Sequence, residues 1–94
     1  MGYREAMTQK EIATALQDRG FELMPVTKGY KDKVRLEWQG VQGSAYAGDD
    51  YLSATGDMGS RFERILHRTS SDHKGYPVWR GSAIMELIQT LPRL

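Results

Sequence analysis

Lysine and arginine are the residues of this chain best placed to do chemistry, and what they offer is anion binding rather than bond making. Arg61, Arg64 and Arg68 recur at helical spacing. At 100° per residue they share an arc of about 60° on one helix edge. Guanidinium groups arranged in this way present forked donors that match phosphate or carboxylate oxygens. A second basic cluster, Lys28, Lys31, Lys33 and Arg35, is diluted only by Asp32 and holds Tyr30, whose ring can stack on a base. Further on, Trp79 and Arg80 are neighbours in a short strand-like run. An exposed Trp beside an Arg is a typical interface anchor. The alternation of Tyr76 and Val78 with Trp79 requires one set to face outward unless both faces of that strand are covered. Solvated charged faces are also the rule on small domains, and a charged hairpin discourages edge pairing.

The constellations that suggest catalysis or metal binding are weaker. Asp49, Asp50 and Asp57 match no EF-hand spacing and read as turn residues. Ser70, Ser71, Asp72 and His73 are hydrolase residue types, but a triad is assembled in space and consecutive residues of one polar loop rarely converge. No G-x-S-x-G elbow is present. Gly56-Asp57-Met58-Gly59-Ser60 precedes a helix and offers backbone N–H groups, yet no Lys-Ser/Thr follows, so it is not a phosphate-cradling loop. His67 reads as a solvated residue on the outer side of a helix. The chain has no Cys, which excludes a disulfide scaffold, a Cys-based zinc site and a thiol nucleophile. The expectation is a protein that is not an enzyme and holds no cofactor and no metal.

These residues must be positioned by a small fold. The 94 residues fit one domain, 1–94, with 1–7 allowed as a disordered leader ahead of Met7. Hydrophobic residues make up 39% and charged residues 27%, in the range of ordinary folded domains. With 13 Lys+Arg against 12 Asp+Glu the net charge is +1, which excludes both an acidic DNA mimic and a histone-like protein. No apolar run is long enough to span a membrane and the N-terminus carries no apolar signal region, so a cytoplasmic protein is expected.

The chain opens with a helix over 9–19, begun by the capping box Thr8-x-x-Glu11, with Ile12, Ala13 and Leu16 as its apolar stripe and Gly20 closing it. Residues 21–26 read as an edge strand ended by Pro25, and 27–32 as a turn around Gly29. The clearest strand is 33–39, where Val34, Leu36 and Trp38 alternate with Lys33, Arg35, Glu37 and Gln39. After a turn at Gly40, residues 41–47 return as a strand. Its inward Val41, Gly43, Ala45 and Ala47 suit the close passage of a helix or a ligand. Residues 48–59 read as a long loop with one helical turn at 50–54. Ser60 then caps a helix over 61–68, 76–80 form a short strand, and Ser82 caps a helix over 83–91. There Ile84, Leu87, Ile88 and Leu91 give the full amphipathic signature, and Pro92 stops it.

The fold expected is therefore α+β, a small antiparallel sheet of three to four strands with about three helices, in the order α-β-β-β-α-β-α. Helix, three strands, helix resembles the double-stranded-RNA-binding fold class in element order alone, without its lysine-rich helix start. The function expected is a non-enzymatic interaction protein that binds and regulates or inhibits a macromolecular partner, a protein or nucleoprotein, in the manner of small accessory or phage-type inhibitors. The alternative is a DNA- or RNA-binding domain using the basic hairpin and the basic helix edge. No membrane partner is expected, and a homodimer through the third helix is a further option for so small a core.

Overall fold

The computed structural model describes residues 6–25, 32–67 and 77–92. Among these the chain forms α1 (Gln9–Asp18), β1 (Phe21–Met24), β2 (Val34–Trp38), β3 (Ala45–Gly48), β4 (Tyr51–Ala54), α2 (Gly56–Leu66), β5 (Val78–Trp79) and α3 (Ser82–Thr90). The five strands lie in the order β1-β2-β3-β4-β5, each antiparallel to its neighbours. The fold is α+β as expected, with one more strand, and the order is α-β-β-β-β-α-β-α. The likeness in element order to the double-stranded-RNA-binding class ends at that extra strand.

The additional strand replaces much of the expected loop at 48–59. Asp49 and Asp50 make the turn between β3 and β4, with Gly48 opposite Tyr51 and Asp50 at φ 50°. Asp tolerates this left-handed conformation better than most residues. Residues 50–54 are thus not a helical turn. β4 is four residues long and carries two small side chains, Ser53 and Ala54. Such a segment has little strand signal of its own, and it is held by pairing on both edges.

α2 also begins earlier than expected, at Gly56 and not after Ser60, with Thr55 as its extended N-cap. Gly59 from the expected loop and Gly43 from the expected strand before it both serve close packing. A Cβ on Gly59 would stand 3.1 Å from the Ala54 carbonyl oxygen and 3.3 Å from Pro77. Gly43, at φ 100°, lies so near the Thr55 carbonyl that a Cβ there would be 1.9 Å from its oxygen. The close approach foreseen at Gly43 is therefore to the backbone leading into α2. α3 starts at Ser82 with Gly81 as its N-cap, so Ser82 lies inside the helix and does not cap it.

The remaining helix signals hold. Thr8 accepts from Glu11 N at 3.2 Å while the Glu11 carboxylate accepts from Thr8 N at 2.9 Å. Ile12 and Leu16 are buried. In α3, Ile84, Leu87 and Ile88 are buried together with Leu91, so its apolar stripe closes the core and is not left for a partner helix.

All three helices pack on one face of the sheet. The strand register puts Phe21, Leu36, Trp38, Ala45, Ala47, Leu52, Ala54 and Trp79 on that face, and all are buried with Met58, Phe62 and the helix residues. Ala45 and Ala47 lie where α1 crosses β3, and their small side chains let the helix come close. Phe21 stacks on Trp38 at 5.0 Å, Phe62 tilts against Phe21 at 6.1 Å, and Trp79 meets Phe62 edge-on at 5.5 Å. This aromatic row runs from the β1 edge to the β5 edge.

The Asp49–Asp50 turn ties the helices to the sheet. Asp49 Oδ1 accepts from Gln9 N at 2.8 Å, and Asp50 Oδ1 accepts from Gly81 N at 2.7 Å. Asp50 N donates to Met7 O at 2.8 Å, and Gln9 Nε2 donates to both Asp32 O and Ala47 O. Carboxylates at helix starts satisfy free N–H groups and complement the helix dipole. The turn reading therefore stands for Asp49 and Asp50, whereas Asp57 lies in the first turn of α2, and no group of acidic and histidine residues able to hold a metal ion is found among the described residues. Asp50→Ala is expected to lower the unfolding free energy by about 1–3 kcal/mol. Asp50→Asn, which keeps an acceptor and tolerates the left-handed backbone, should lose under about 1 kcal/mol. Urea denaturation of the two variants measures the difference.

Candidate functional site

The side chains on the other face of the sheet are mostly polar, and among the described residues no helix packs there. The register places Glu22 opposite Glu37, then Met24, Arg35, Tyr46, Ser53 and Val78 as one row across the five strands, with Tyr51 beyond it opposite Gly48. Lys33, just before β2, runs its stem across Gly48: a Cβ on that glycine would lie 3.4 Å from Lys33 Cδ. The lysine stem thus passes over Gly48 in ordinary van der Waals contact on its way to Tyr51. Lys33 Nζ stands 4.7 Å from the centroid of the Tyr51 ring and Arg80 Cζ 5.3 Å from it. One tyrosine so gathers two cations from strands far apart in sequence, an arrangement favoured by the ring quadrupole.

Each of these cations has a further contact. Lys33 Nζ is 2.8 Å from Asp32 Oδ2. The hydrogen bond from Lys33 holds the Asp32 carboxyl below its ordinary range. A carboxyl depressed in this way contributes stability that is present above its unfolded pKa and lost as the pH falls through the folded one. Asp32 is largely exposed, so that contribution is small. Arg80 Nη1 donates to Asp50 O at 3.3 Å.

Arg35 differs. It is half-buried in the middle of β2, its Nε is buried without an acceptor, and among the described residues no carboxylate pairs with it. Glu37, two residues on along the same face, instead accepts from the Ser44 hydroxyl at 3.4 Å. A desolvated donor left unmade costs about 1–3 kcal/mol, so the fold bears a penalty at Arg35.

The basic helix edge lies elsewhere. The Arg61 guanidinium sits 5.2 Å from the Trp38 ring centroid, and Trp38 points to the helical face. Arg61 and Arg64 line a shallow depression of about 540 Å³ with Ile65, His67 and Thr90. They also line a second one of about 370 Å³ that includes Asp57 and Ser60. Arg64 stands in the last turn of α2, where a cation complements the helix dipole. The described members of the two expected basic patches, Lys33 and Arg35 on one hand and Arg61 and Arg64 on the other, therefore occupy opposite sides of the sheet. Lys28, Tyr30, Lys31 and Arg68 lie outside the described residues, as do Gly29, Tyr76 and the loop with Ser70, Ser71, Asp72 and His73.

Trp79 is a correction. It is 2% exposed, as is Val78, so both faces of β5 are covered and Trp79 is a core residue rather than an exposed anchor. The backbone at the start of α2 is likewise engaged: Met58 N donates to Gln42 O at 2.9 Å and Gly59 N to Thr55 O at 3.2 Å. The Gly56–Ser60 segment, read from sequence as a loop ahead of a helix, is thus the beginning of α2 itself.

Sequence reasoning missed two features. Tyr51 was assigned to a loop, yet it organises the cationic row; its alternation with Leu52 was the available signal. A groove of about 820 Å³ between α1 and the start of α3, lined by Met7, Lys10, Thr14, Ala15 and Met85, had no signal, because two segments distant in sequence form it.

Comparison with models of protein families, with curated proteins and with solved structures found no match in any of the three.

Replacing Arg35 with Met keeps the aliphatic stem and removes the unmatched donor. Arg35→Met is therefore expected to raise the unfolding free energy by about 1 kcal/mol. A loss of stability in a urea melt would mean that the guanidinium is satisfied within the fold.

Proposed function

We propose that this protein is a non-enzymatic interaction protein that binds a macromolecular partner and regulates or inhibits it, through the helix-free face of its sheet. The observation that carries this reading is the cationic and aromatic group on that face, Lys33, Tyr51 and Arg80 beside Arg35, which has no ion pair among the described residues. Tyrosine and arginine are enriched in protein interfaces because they combine large contact area with directed hydrogen bonds. Glu22 and Glu37 on the same face make the surface mixed in sign, which suits a folded protein or nucleoprotein better than a bare phosphodiester backbone.

The nucleic-acid alternative draws on Lys33, Arg35 and Arg80 on one side and Arg61 and Arg64 on the other. A phosphate track needs its cations along one surface, and these point to opposite sides of the sheet.

Two measurements test the reading. Affinity capture from a lysate of the source cells is expected to retain a discrete macromolecule on the wild type and to lose it on Tyr51→Ala, with both proteins folded by circular dichroism. Fluorescence anisotropy with duplex and single-stranded DNA and RNA, across salt concentrations, should give only weak binding. Micromolar or tighter binding that falls steeply with salt, with a slope flattened by Arg61→Ala plus Arg64→Ala, would establish the nucleic-acid function instead.

A further inference from the structure

We infer that Arg35 is the anchor for a carboxylate, so that the segment this face recognises is an acidic stretch of a partner protein. The inference rests on the interaction function proposed above and names its partner chemistry. Arg35 occupies the second of five strands, between Met24 and Tyr46 in register. Its Nε is buried with no acceptor, and it has no ion pair among the described residues.

That guanidinium has one donor, Nε, already out of water before a ligand arrives, and the side chain as a whole is half-buried. Its remaining donors form a rigid fork that fits the two oxygens of a carboxylate. The same face supplies a second positive centre, where Lys33 and Arg80 flank the Tyr51 ring. That centre lies one row along and two strands across from Arg35, about 12 Å at ordinary strand spacing, since Arg35 on β2 is opposite Tyr46 and Tyr46 is two residues before Gly48, the partner of Tyr51 on β4. Two acidic side chains on the same side of one extended segment, four residues apart, span about 13 Å and have the spacing to meet both.

The sign of the neighbouring row selects among anions. Glu22 and Glu37 stand directly opposite each other beside Arg35. They repel a continuous phosphodiester chain, whose charge cannot be interrupted. A peptide can place a neutral or basic residue at that point. The sheet face therefore favours an acidic peptide whose charge is discontinuous.

The probe is a fluorescein-labelled peptide of alternating Glu and Ser, with its Gln–Ser counterpart and a single-stranded DNA of equal charge as comparisons, read by anisotropy at low salt. The Glu–Ser peptide should bind and the Gln–Ser peptide should not. Arg35→Met should weaken binding about tenfold or more. Arg35→Lys, which retains charge but not the fork, should recover only part of it. Arg64→Ala, on the other side of the sheet, should leave it unchanged. Equal binding to wild type and Arg35→Met, equal weakening by Arg64→Ala, or preference for the DNA would each overturn the inference. A partner captured from lysate equally well by wild type and Arg35→Met would overturn it too, while leaving the interaction function standing. Capture of nothing would remove that function without altering the peptide result.

Discussion

The carboxylates of Asp49 and Asp50 bind the start of α1 and the start of α3 to a single turn of the sheet. One accepts from Gln9 N and the other from Gly81 N. These N–H groups belong to segments more than thirty residues away on either side of the turn in sequence. A helix start has donors that its own backbone cannot satisfy, and here the sheet supplies the acceptors. Orientation of the helical layer follows from this. Arg19 closes the opposite end by donating to Leu91 O at 3.2 Å, so α1 is tied to α3 at the far ends of both helices.

With the helices held, the aromatic row can be continuous. Phe62 touches both Phe21 and Trp79, which come from the two edge strands. It can do so only because α2 lies close against β4, which Gly59 and Gly43 permit. Burial of these rings supplies a large part of the driving force available to a domain of this size. It also draws Trp79 inward and so removes from the surface the residue that looked most like an interface anchor.

The consequence for function is a division of labour between the two faces of one sheet. The helical face carries most of the apolar burial, which leaves the other face to hold charge around the buried Ser53 and Val78. That second face is where Lys33, Arg35, Tyr51 and Arg80 meet, although they come from three different strands or strand ends. Within it the cations are unequal. Lys33 and Arg80 have acceptors in the fold, whereas Arg35 retains a buried donor without one. A charge held partly out of water without a partner opposes folding, and its retention in the middle of a strand is the kind of cost associated with binding sites.

The sequence by itself determined those elements whose signals are local. The Thr8–Glu11 box, the alternation of Val34, Leu36 and Trp38, and the apolar stripe of α3 could each be read from adjacent residues, because capping and periodicity act over one turn or one strand. The α+β class followed from them. Only the tertiary structure decided what Gly48 to Gly59 would be. Its glycines and aspartates signal a turn wherever they occur, but here they serve close packing and helix capping against partners far along the chain. The same holds for the site. Basic residue types were visible from the start, while the side of the sheet that each occupies depends on strand register. Register also placed Trp79 on the core face, because a strand points alternate side chains to opposite faces and only its pairing with Leu52 determines which of them joins the helical core.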